Sequence, residues 1–372
     1  MTNKSVVLYG ASGYTGKLVA EFLREYGISF IAAGRNAEKI EAAMATVPGI
    51  ETADYEVVQV EHTKEALTEL FKGAKVICNT VGPFMYFGQP VVEAALEAGC
   101  HYLDTGGEMN FITKIQQELG PKFAAKNLVL APGTSYMYTS LEIGARMVLE
   151  QGQIDTLNCL TAPTLVPTVG SFQTIFAMFS IAEQSFKLEN NQRVIWPVAK
   201  GYEVSVPGRA DSLLAHPWGG GMLPLYFEHD PRVRNVQQLT ATQNRAMMEM
   251  VLDLQNTYEN EIKHLPTEEK AAKLAEYGNS MQATMPPREN KLVHRCLDVV
   301  HGSGSFDSAT CEVRTSCGYL TTGALQAATA SLLIGGLQKT NGFSSACEAV
   351  GHNELANQLR SFGLVDYKMI NS

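Results

Sequence analysis

The stretch Gly10-Ala11-Ser12-Gly13-Tyr14-Thr15-Gly16 decides the fold of the first part of the chain. It follows an apolar run, Lys4–Tyr9, that predicts a strand, and it opens an amphipathic run, Tyr14–Tyr26, that predicts a helix. A glycine-rich turn between a strand and a helix is the context in which proteins bind a dinucleotide pyrophosphate. The spacing is GxxGxxG rather than GxGxxG, and a purely structural turn is the alternative.

Each glycine of this loop has its own role in a dinucleotide site. Gly10 permits the tight turn, Gly13 lets backbone amides approach the pyrophosphate, and Gly16 lets the helix and strand pack closely. At the helix start, Tyr14 and Thr15 offer backbone N–H groups and a partial positive charge to the phosphates. The sequence therefore predicts a phosphate-binding loop at residues 10–16.

The end of the second predicted strand, Ser29–Ala33, indicates which dinucleotide is bound. The next residues are Gly34-Arg35-Asn36, whereas NAD-selective sites place Asp or Glu here for the ribose 2′-hydroxyl. Arg35 can bind a 2′-phosphate bidentately, Ser12 can add a hydroxyl, and Asn36 can cap the next helix beside it. We therefore expect NADP(H), with a solvated loop charge as the alternative role of Arg35.

The first 133 residues alternate short apolar strands with amphipathic helices, which predicts parallel strands joined by crossovers. Such units make an α/β, Rossmann-type doubly wound sheet. We divide the chain into a dinucleotide-binding domain (1–133), an inserted α+β substrate and dimerisation domain (134–317), and C-terminal helices (318–372) that return to the first domain. Val236–Tyr277 and Ser345–Phe362 are predicted to be helical.

Three further segments follow predicted strands at the same edge of this sheet: Asn79–Phe84, Asp104–Glu108 and Pro132–Tyr138. The loop Thr80-Val81-Gly82-Pro83 comes after the strand Ala74–Asn79, and its bend can lie along the nicotinamide ribose. The candidate proton donors are tyrosine hydroxyls and one carboxyl group, and burial would raise the pKa of that carboxyl group. They are Tyr86, Tyr136, Tyr138 and Glu108. For each tyrosine, a packing role is the alternative.

Four segments together resemble the saccharopine dehydrogenase-like oxidoreductases, which include saccharopine reductases and the trans-acting enoyl reductases of mycobacteria. They are the Gly10–Gly16 loop, Ala33-Gly34-Arg35, Asn79–Phe84 with Gly88-Gln89-Pro90, and Tyr102-Leu103-Asp104 with Gly107-Glu108. The resemblance covers residues 1–110 and implies NADP binding and hydride transfer, while members of the family differ in substrate. The family often carries Asp after the third strand, near the adenine, where this chain has Glu61-His62.

Composition and charge exclude several other function classes. The formal net charge is −9 without a basic stripe, which is unlike a nucleic-acid-binding protein. The longest apolar-rich run, Ala324–Ile334, is too short for a membrane span, and seven scattered cysteines without a CxxC motif indicate a reducing cytoplasm. The eight histidines form no HExxH or HxH pattern, so no metal site is predicted.

Charge also bears on the substrate. Saccharopine carries three carboxylates and would require clustered arginines, whereas residues 134–317 are acidic on balance and have one close pair, Arg232 and Arg234. The sequence predicts an NADPH-dependent oxidoreductase that reduces a C=C, C=N or C=O bond of a small, largely apolar or neutral metabolite. The alternatives are an NADP-binding redox sensor without turnover and a partner-binding protein that kept only the fold. A homodimer is expected, through the sheet of the second domain.

Overall fold

The computed structural model describes residues 4–164, 167–180, 184–217, 221–280 and 285–371. Its strands are Val6–Tyr9 (β1), Phe30–Gly34 (β2), Tyr55–Gln59 (β3), Val76–Asn79 (β4), His101–Asp104 (β5), Val129–Ala131 (β6), Thr156–Thr161 (β7), Phe186–Glu189 (β8), Gln192–Ile195 (β9), Tyr202–Ser205 (β10), Ser212–His216 (β11), Asn235–Ala241 (β12), Cys296–Ser303 (β13), Ser308–Thr315 (β14), Gly342–Phe343 (β15) and Val365–Asn371 (β16). Its helices are Tyr14–Glu25 (α1), Ala37–Met44 (α2), Lys64–Phe71 (α3), Phe84–Ala98 (α4), Met109–Glu118 (α5), Gly120–Ala125 (α6), Leu141–Leu149 (α7), Val169–Phe179 (α8), Met222–Phe227 (α9), Arg245–Thr257 (α10), Thr267–Ser280 (α11), Gly318–Ile334 (α12), Ala346–Val350 (α13) and His352–Ser361 (α14).

The chain forms two compact units, each built from two stretches of sequence. The first unit comprises Met1–Ile143 and Gly318–Val365, and the second comprises Gly144–Cys317 and Asp366–Ser372. These boundaries differ from the predicted ones in two respects. A π-helical turn at Tyr136–Ser140 and the start of α7 belong to the first unit, and the end of the chain is strand β16 rather than helix.

In the part of the chain that the structure describes, the first unit contains a seven-stranded sheet of order β15-β6-β5-β4-β1-β2-β3. All its pairs are parallel, and Tyr9 at the end of β1 lies in register with Ala33 on β2 and with Asn79 on β4. Every residue of β1, β2 and β4 is buried, as expected for strands covered on both faces. The predicted Rossmann-type doubly wound sheet is confirmed, because its strand order reverses at β1 and β4.

Helix α12 packs tightly against α1 of the first unit. Gly323 is a point of close approach, since a Cβ atom there would lie 2.8 Å from the carbonyl carbon of Leu18. The Tyr14 ring meets the Tyr319 ring edge-on at 5.2 Å. Nearly all side chains of α12 are buried, so this small-residue helix is a component of the core and not a surface addition.

The second unit contains a mixed nine-stranded sheet, counted over the described residues, with the path β10-β11-β12-β7-β13-β14-β16 and a β8–β9 hairpin beside β12. The prediction of helix over Val236–Tyr277 is wrong at its start, because β12 pairs parallel with β7 through Thr240. Pairing with a buried strand overrides the polar local sequence, and α10 begins only after Asn244, whose side chain caps it.

Ser345–Phe362 is likewise not one helix. Gly351 separates α13 from α14 with a φ of +101°, a backbone conformation that favours glycine and ends the first helix. Ser345 caps α13 through a reciprocal pair of hydrogen bonds with Glu348, which explains why the predicted start of helix is correct. Across the described residues, no helix has both the length and the apolar character needed to span a bilayer.

Candidate dinucleotide site

The glycine loop forms a tight turn at the carboxyl end of β1. The N–H groups of Gly10 and Ala11 both donate to the Ala33 carbonyl, at 2.9 and 3.2 Å, and the φ of Gly10 is +93°. A Cβ atom at Gly16 would lie 2.3 Å from the Gly10 carbonyl oxygen. Glycine is therefore required at positions 10 and 16 by the turn and by the close approach of α1 to the loop.

The centre of the loop is open. Ser12 and Gly13 are exposed, and Gly13 is the residue that precedes the first turn of α1. No described side chain caps this helix start, and the first turn contains no acidic residue. A Cβ atom at position 13 would lie 3.2 Å from the Gly10 carbonyl oxygen, and an uncapped helix start is where backbone amides and the helix dipole bind an anion. The loop thus fits a pyrophosphate.

At the end of β2, Arg35 is exposed and lies near an aromatic pair. The Tyr9 hydroxyl and His62 Nδ1 are 2.8 Å apart, and their rings stack at 5.9 Å. Burial lowers the pKa of His62, and the positive charge of Arg35 lowers it further. The edge of the Phe87 ring closes this cluster, 5.6 Å from His62.

Tyr9 and His62 were not among the predicted site residues. The available signal was the departure of Glu61-His62 from the Asp that the family often carries after its third strand. The structure places His62 shortly after β3 and near Arg35, with its imidazole hydrogen-bonded to the Tyr9 hydroxyl.

Two predicted cofactor residues use their side chains elsewhere. Asn36 Oδ1 accepts the Lys39 N–H at 2.8 Å and caps α2, as the sequence predicted, and the Tyr14 ring packs on Tyr319. Thr15, one residue further along α1, is partly buried.

The loop after β4 supports the glycine loop directly. The Thr80 hydroxyl donates to the carbonyls of Tyr9 and Gly10, at 3.1 Å each, and the Val81 N–H donates to Asn79 Oδ1 at 3.0 Å. A Cβ atom at Gly10 would lie 2.9 Å from a Val81 methyl group. The structure thus places Thr80 and Val81 against the glycine loop. The Gly82–Pro83 peptide bond that follows is cis.

At the end of β5, Asp104 is fully buried and bonded through both oxygens. Its Oδ1 accepts the N–H groups of Gly106 and Gly133, at 2.9 and 3.0 Å, and its Oδ2 accepts the Tyr102 hydroxyl at 2.9 Å. Burial raises the pKa of Asp104 to about 7, against the opposing effect of these three hydrogen bonds. Asp104 therefore joins the ends of β5 and β6.

A residue far along the chain completes this network. Gln326 of α12 donates through its Nε2 to the carbonyls of Asp104 and Thr134, at 2.9 and 2.8 Å. The Thr322 hydroxyl accepts the Tyr136 N–H at 3.1 Å. No local sequence pattern links these positions, so sequence reasoning missed Gln326 and could not have paired it with Asp104.

The candidate proton donors fall into two groups. Glu108 is fully buried, and its two oxygens accept the N–H groups of Phe84 and Gly107, at 2.8 and 2.9 Å. Tyr138 is buried beside it, because a Cβ atom at Gly107 would lie 1.8 Å from the Tyr138 hydroxyl. Tyr86, in the first turn of α4, is 61% exposed. The structure brings Glu108 and Tyr138 together and leaves Tyr86 at the surface.

Burial dominates the ionisation of this group. It raises the pKa of Glu108, against the backbone hydrogen bonds, and it raises the pKa of Tyr138, as do the nearby carboxyl groups of Glu108 and Asp104. Tyr136 is buried as well, at the start of the same π-helical turn. Within the described ranges, no group of three or more His, Cys, Asp or Glu side chains could hold a metal ion.

Comparison with known proteins defines the class. Residues 6–130 match the saccharopine dehydrogenase NADP binding domain, which confirms the predicted family resemblance and the NADP(H) cofactor. Over residues 6–130, the parallel sheet and its glycine loop are thus those of an NADP binding domain of the saccharopine dehydrogenase type. The model of a family of unknown function, DUF5938, matches residues 139–372, more than half of the chain. The chain belongs to this family.

The relatives are similar over part of their length. A lipid droplet localized protein of Caenorhabditis elegans is 28% identical over 190 residues, which cover 47% of this chain and 45% of that protein. A trans-acting enoyl reductase of Mycobacterium tuberculosis is 35% identical over 109 residues, which cover 28% of this chain and 26% of the reductase. The chain thus spans less than half the length of these relatives.

One solved structure is similar over nearly the whole chain. Apo saccharopine dehydrogenase (L-Glu forming) from Saccharomyces cerevisiae superposes with a TM-score of 0.58, covering 99% of this chain and 100% of that one. The sequence identity is 12%, so the likeness concerns the fold alone.

Proposed function

We propose that this protein is an NADPH-dependent reductase of a C=C, C=N or C=O bond in a small, largely apolar or neutral metabolite. One observation carries the proposal: the uncapped, exposed helix start at Gly13 and the exposed Arg35 lie at neighbouring strand ends, β1 and β2, of one parallel sheet. The first suits a pyrophosphate and the second suits a 2′-phosphate, without an acid to prefer NAD.

The residues of this chain would divide the work as follows. Gly10, Gly13 and Gly16, with Ser12 and the amides of the first turn of α1, bind the pyrophosphate. Arg35 binds the 2′-phosphate, beside His62. Thr80, Val81, Gly82 and Pro83 support the loop and orient the nicotinamide end. NADPH, when bound, supplies the hydride.

For the proton we propose Tyr86, because it is the candidate whose side chain is accessible to a ligand. Glu108 and Tyr138 would act as positioning residues. Glu108 holds the start of α4, on which Tyr86 lies, through the Phe84 N–H, and Tyr138 packs on Gly107. A carboxylate with both oxygens bonded to buried amides is poorly placed to pass a proton to a substrate.

The substrate and partner assignments rest on charge and sheet architecture. The acidic balance of the second unit and its single close arginine pair support a neutral or apolar substrate over a tricarboxylate such as saccharopine. The same unit is proposed to provide the substrate-binding and dimerisation surfaces of a homodimer. A cytoplasmic location remains a prediction.

A redox sensor without turnover is the second candidate. It is supported by the burial of Glu108, Tyr136 and Tyr138, which leaves Tyr86 as the accessible one of the four candidate proton donors selected from the sequence.

The deciding experiment combines a binding titration with a turnover assay. The full chain is titrated with NADPH by fluorescence, and NADPH oxidation is then followed with enoyl thioesters, imines and ketones as acceptors, with Gly13→Val as the control for cofactor-independent oxidation. The reductase is supported if one acceptor class causes NADPH oxidation by the wild type but not by the Gly13→Val variant. Tight binding without oxidation supports the sensor, and no binding contradicts both.

A further inference from the structure

The second unit contains a small pocket between two apolar clusters. One cluster lies on the sheet and includes Trp196, Leu213 and Leu239, and the other joins α8 and α10 and includes Phe179. We call the space between them the indole pocket. Its lining includes Met178, Phe179, Trp196, Pro197, His216 and Gln255. The pocket lies wholly within the second unit, so it is separate from the dinucleotide site.

Two polar atoms in this lining have unmet hydrogen-bonding capacity. Trp196 and Gln255 are 4% and 6% exposed, and Trp196 Nε1 and Gln255 Oε1 are both buried without a hydrogen-bond partner among the described residues. A buried donor or acceptor without a partner costs about 1–3 kcal/mol. A buried donor and a buried acceptor in the lining of one pocket therefore point to a ligand that satisfies both.

Neighbouring groups hold the indole ring in place. The Lys187 ammonium lies 4.7 Å above the centre of the Trp196 ring, and the Tyr202 ring meets it edge-on at 5.4 Å. Gln255 lies on the buried face of α10, in line with Met248 and Val251, where apolar side chains are the rule. An amide at this position has no packing advantage over leucine, which favours a binding role.

The charge and size of the pocket restrict the ligand. No charged side chain of the described chain lines it, and burial lowers the pKa of His216 to about 4, so the imidazole is neutral at neutral pH. The Lys187 ammonium above the Trp196 ring is already paired with the Glu189 carboxylate, so the lining offers a buried ion no free counter-charge. The cavity volume is about 30 Å³, which is room for about two water molecules or for one hydroxyl end group.

We propose that the indole pocket binds the hydroxyl end of a small neutral alcohol. The hydroxyl oxygen accepts the Trp196 Nε1 proton, and the hydroxyl proton is donated to Gln255 Oε1. A hydroxyl is the smallest organic group that both donates and accepts a hydrogen bond. A carboxamide or a carboxylate is larger, with three non-hydrogen atoms, and the carboxylate is also charged. The methylene groups of the alcohol would extend out of the open side of the pocket, whose lining includes the apolar side chains of Met178, Phe179 and Pro197.

The test uses the indole N–H as the reporter. The chain has two tryptophans, so Trp218→Phe leaves Trp196 as the single indole, and its Nε1–H resonance is followed by NMR in the full-length protein. The probes are two isomers, 1-butanol and methyl propyl ether. Both accept a hydrogen bond, and only the alcohol donates one. We expect the alcohol to shift the resonance saturably and to bind about five- to tenfold more tightly than the ether.

Variants distinguish hydrogen-bond recognition of the hydroxyl from simple occupation of the pocket by a small molecule. Gln255→Leu should bring the affinity for 1-butanol down to that for the ether, and Gln192→Leu, at an exposed position of the same unit, should leave it unchanged. Equal affinities for the two isomers in the Trp218→Phe protein would overturn the proposal, even if the Gln255 variant failed to fold. A resonance that neither probe moves would mean that the pocket holds water only, and this also overturns it.

Discussion

The two halves of one sheet edge differ in how their polar groups are used. At the ends of β1 and β2, Ser12, Gly13 and Arg35 are exposed. At the end of β5 and beyond it, Asp104 and Glu108 are fully buried, and all four of their carboxyl oxygens accept hydrogen bonds from the protein. The comparison shows that position at a strand end does not make a residue a ligand-binding group. The first half leaves groups for a ligand, and the second half uses its groups to hold strand ends together.

We call the exposed half of this edge, at the ends of β1 and β2, the open half, and the buried half, at the end of β5, the closed half. The largest effect is expected from a substitution in the closed half. Glu108→Leu would leave the buried N–H groups of Phe84 and Gly107 without acceptors, so we expect the free energy of unfolding to fall by about 2–5 kcal/mol. Urea denaturation followed by circular dichroism measures this. Glu108→Gln retains one acceptor oxygen and should lose clearly less. If the two variants were equally stable, the backbone contacts of Glu108 would not support this half.

The open half should show the opposite behaviour. Gly13→Val places a branched side chain in front of α1, where we expect it to block the pyrophosphate and weaken NADPH binding by on the order of 100-fold, about 3 kcal/mol. The stability should change by about 1 kcal/mol at most, because Gly13 is exposed. Ser12→Ala is the matched neighbour and should lose only a few-fold in affinity. Normal NADPH binding by the Gly13→Val variant would mean that the phosphates bind elsewhere.

Arg35→Ala tests the choice of cofactor within the open half. Loss of a charged hydrogen-bonding partner should weaken NADPH binding by about 1–3 kcal/mol and leave NADH binding unchanged. Isothermal titration with both cofactors measures the difference. Lys39→Ala, at an exposed position one helical turn further on, is the control. Equal losses for both cofactors would contradict the 2′-phosphate role.

The effect expected at Asp104 depends on pH. Its pKa in the folded protein, about 7, lies above the usual 3.8, so the folded state binds the extra proton and this contribution to stability is lost as the pH rises through 7. Relative to Asp104→Asn, the wild type should therefore lose up to about 1.4 kcal/mol per pH unit between the two pKa values. Denaturation of both proteins at pH 5 and pH 8 tests this. A constant difference would mean that the three hydrogen bonds hold the pKa near its usual value.

Local patterns made the first unit predictable to a large extent. The strands at Val6–Tyr9 and Val76–Asn79 are short apolar runs buried on both faces, and the glycine loop is a contiguous motif. In the second unit, β12 contains four polar residues among seven, and its pairing with β7 makes it a strand. That pairing depends on a partner distant in sequence, which local propensity does not register.

The same distinction applies to the site. Arg35 could be proposed as a cofactor-binding residue because its strand-end position and its chemistry coincide in the sequence. The bonds from Gln326 to the Asp104 and Thr134 carbonyls join residues 222 and 192 positions apart, and no short-range signal announces them. The burial of Glu108 against Phe84 and Gly107 also emerged only from the fold, since an isolated glutamate after a strand is equally compatible with a surface position.

The order in which the first unit is assembled during synthesis follows from its divided sequence. Strands β1 to β6 leave the ribosome first, while β15 and the buried helix α12 follow only after the whole stretch from Gly144 to Cys317 has been made. At about 5–20 residues per second, that stretch delays them by roughly ten to thirty-five seconds. Throughout this interval we expect the nascent sheet to have an unpaired edge at β6 and an uncovered face along α1, which is the kind of surface that chaperones bind.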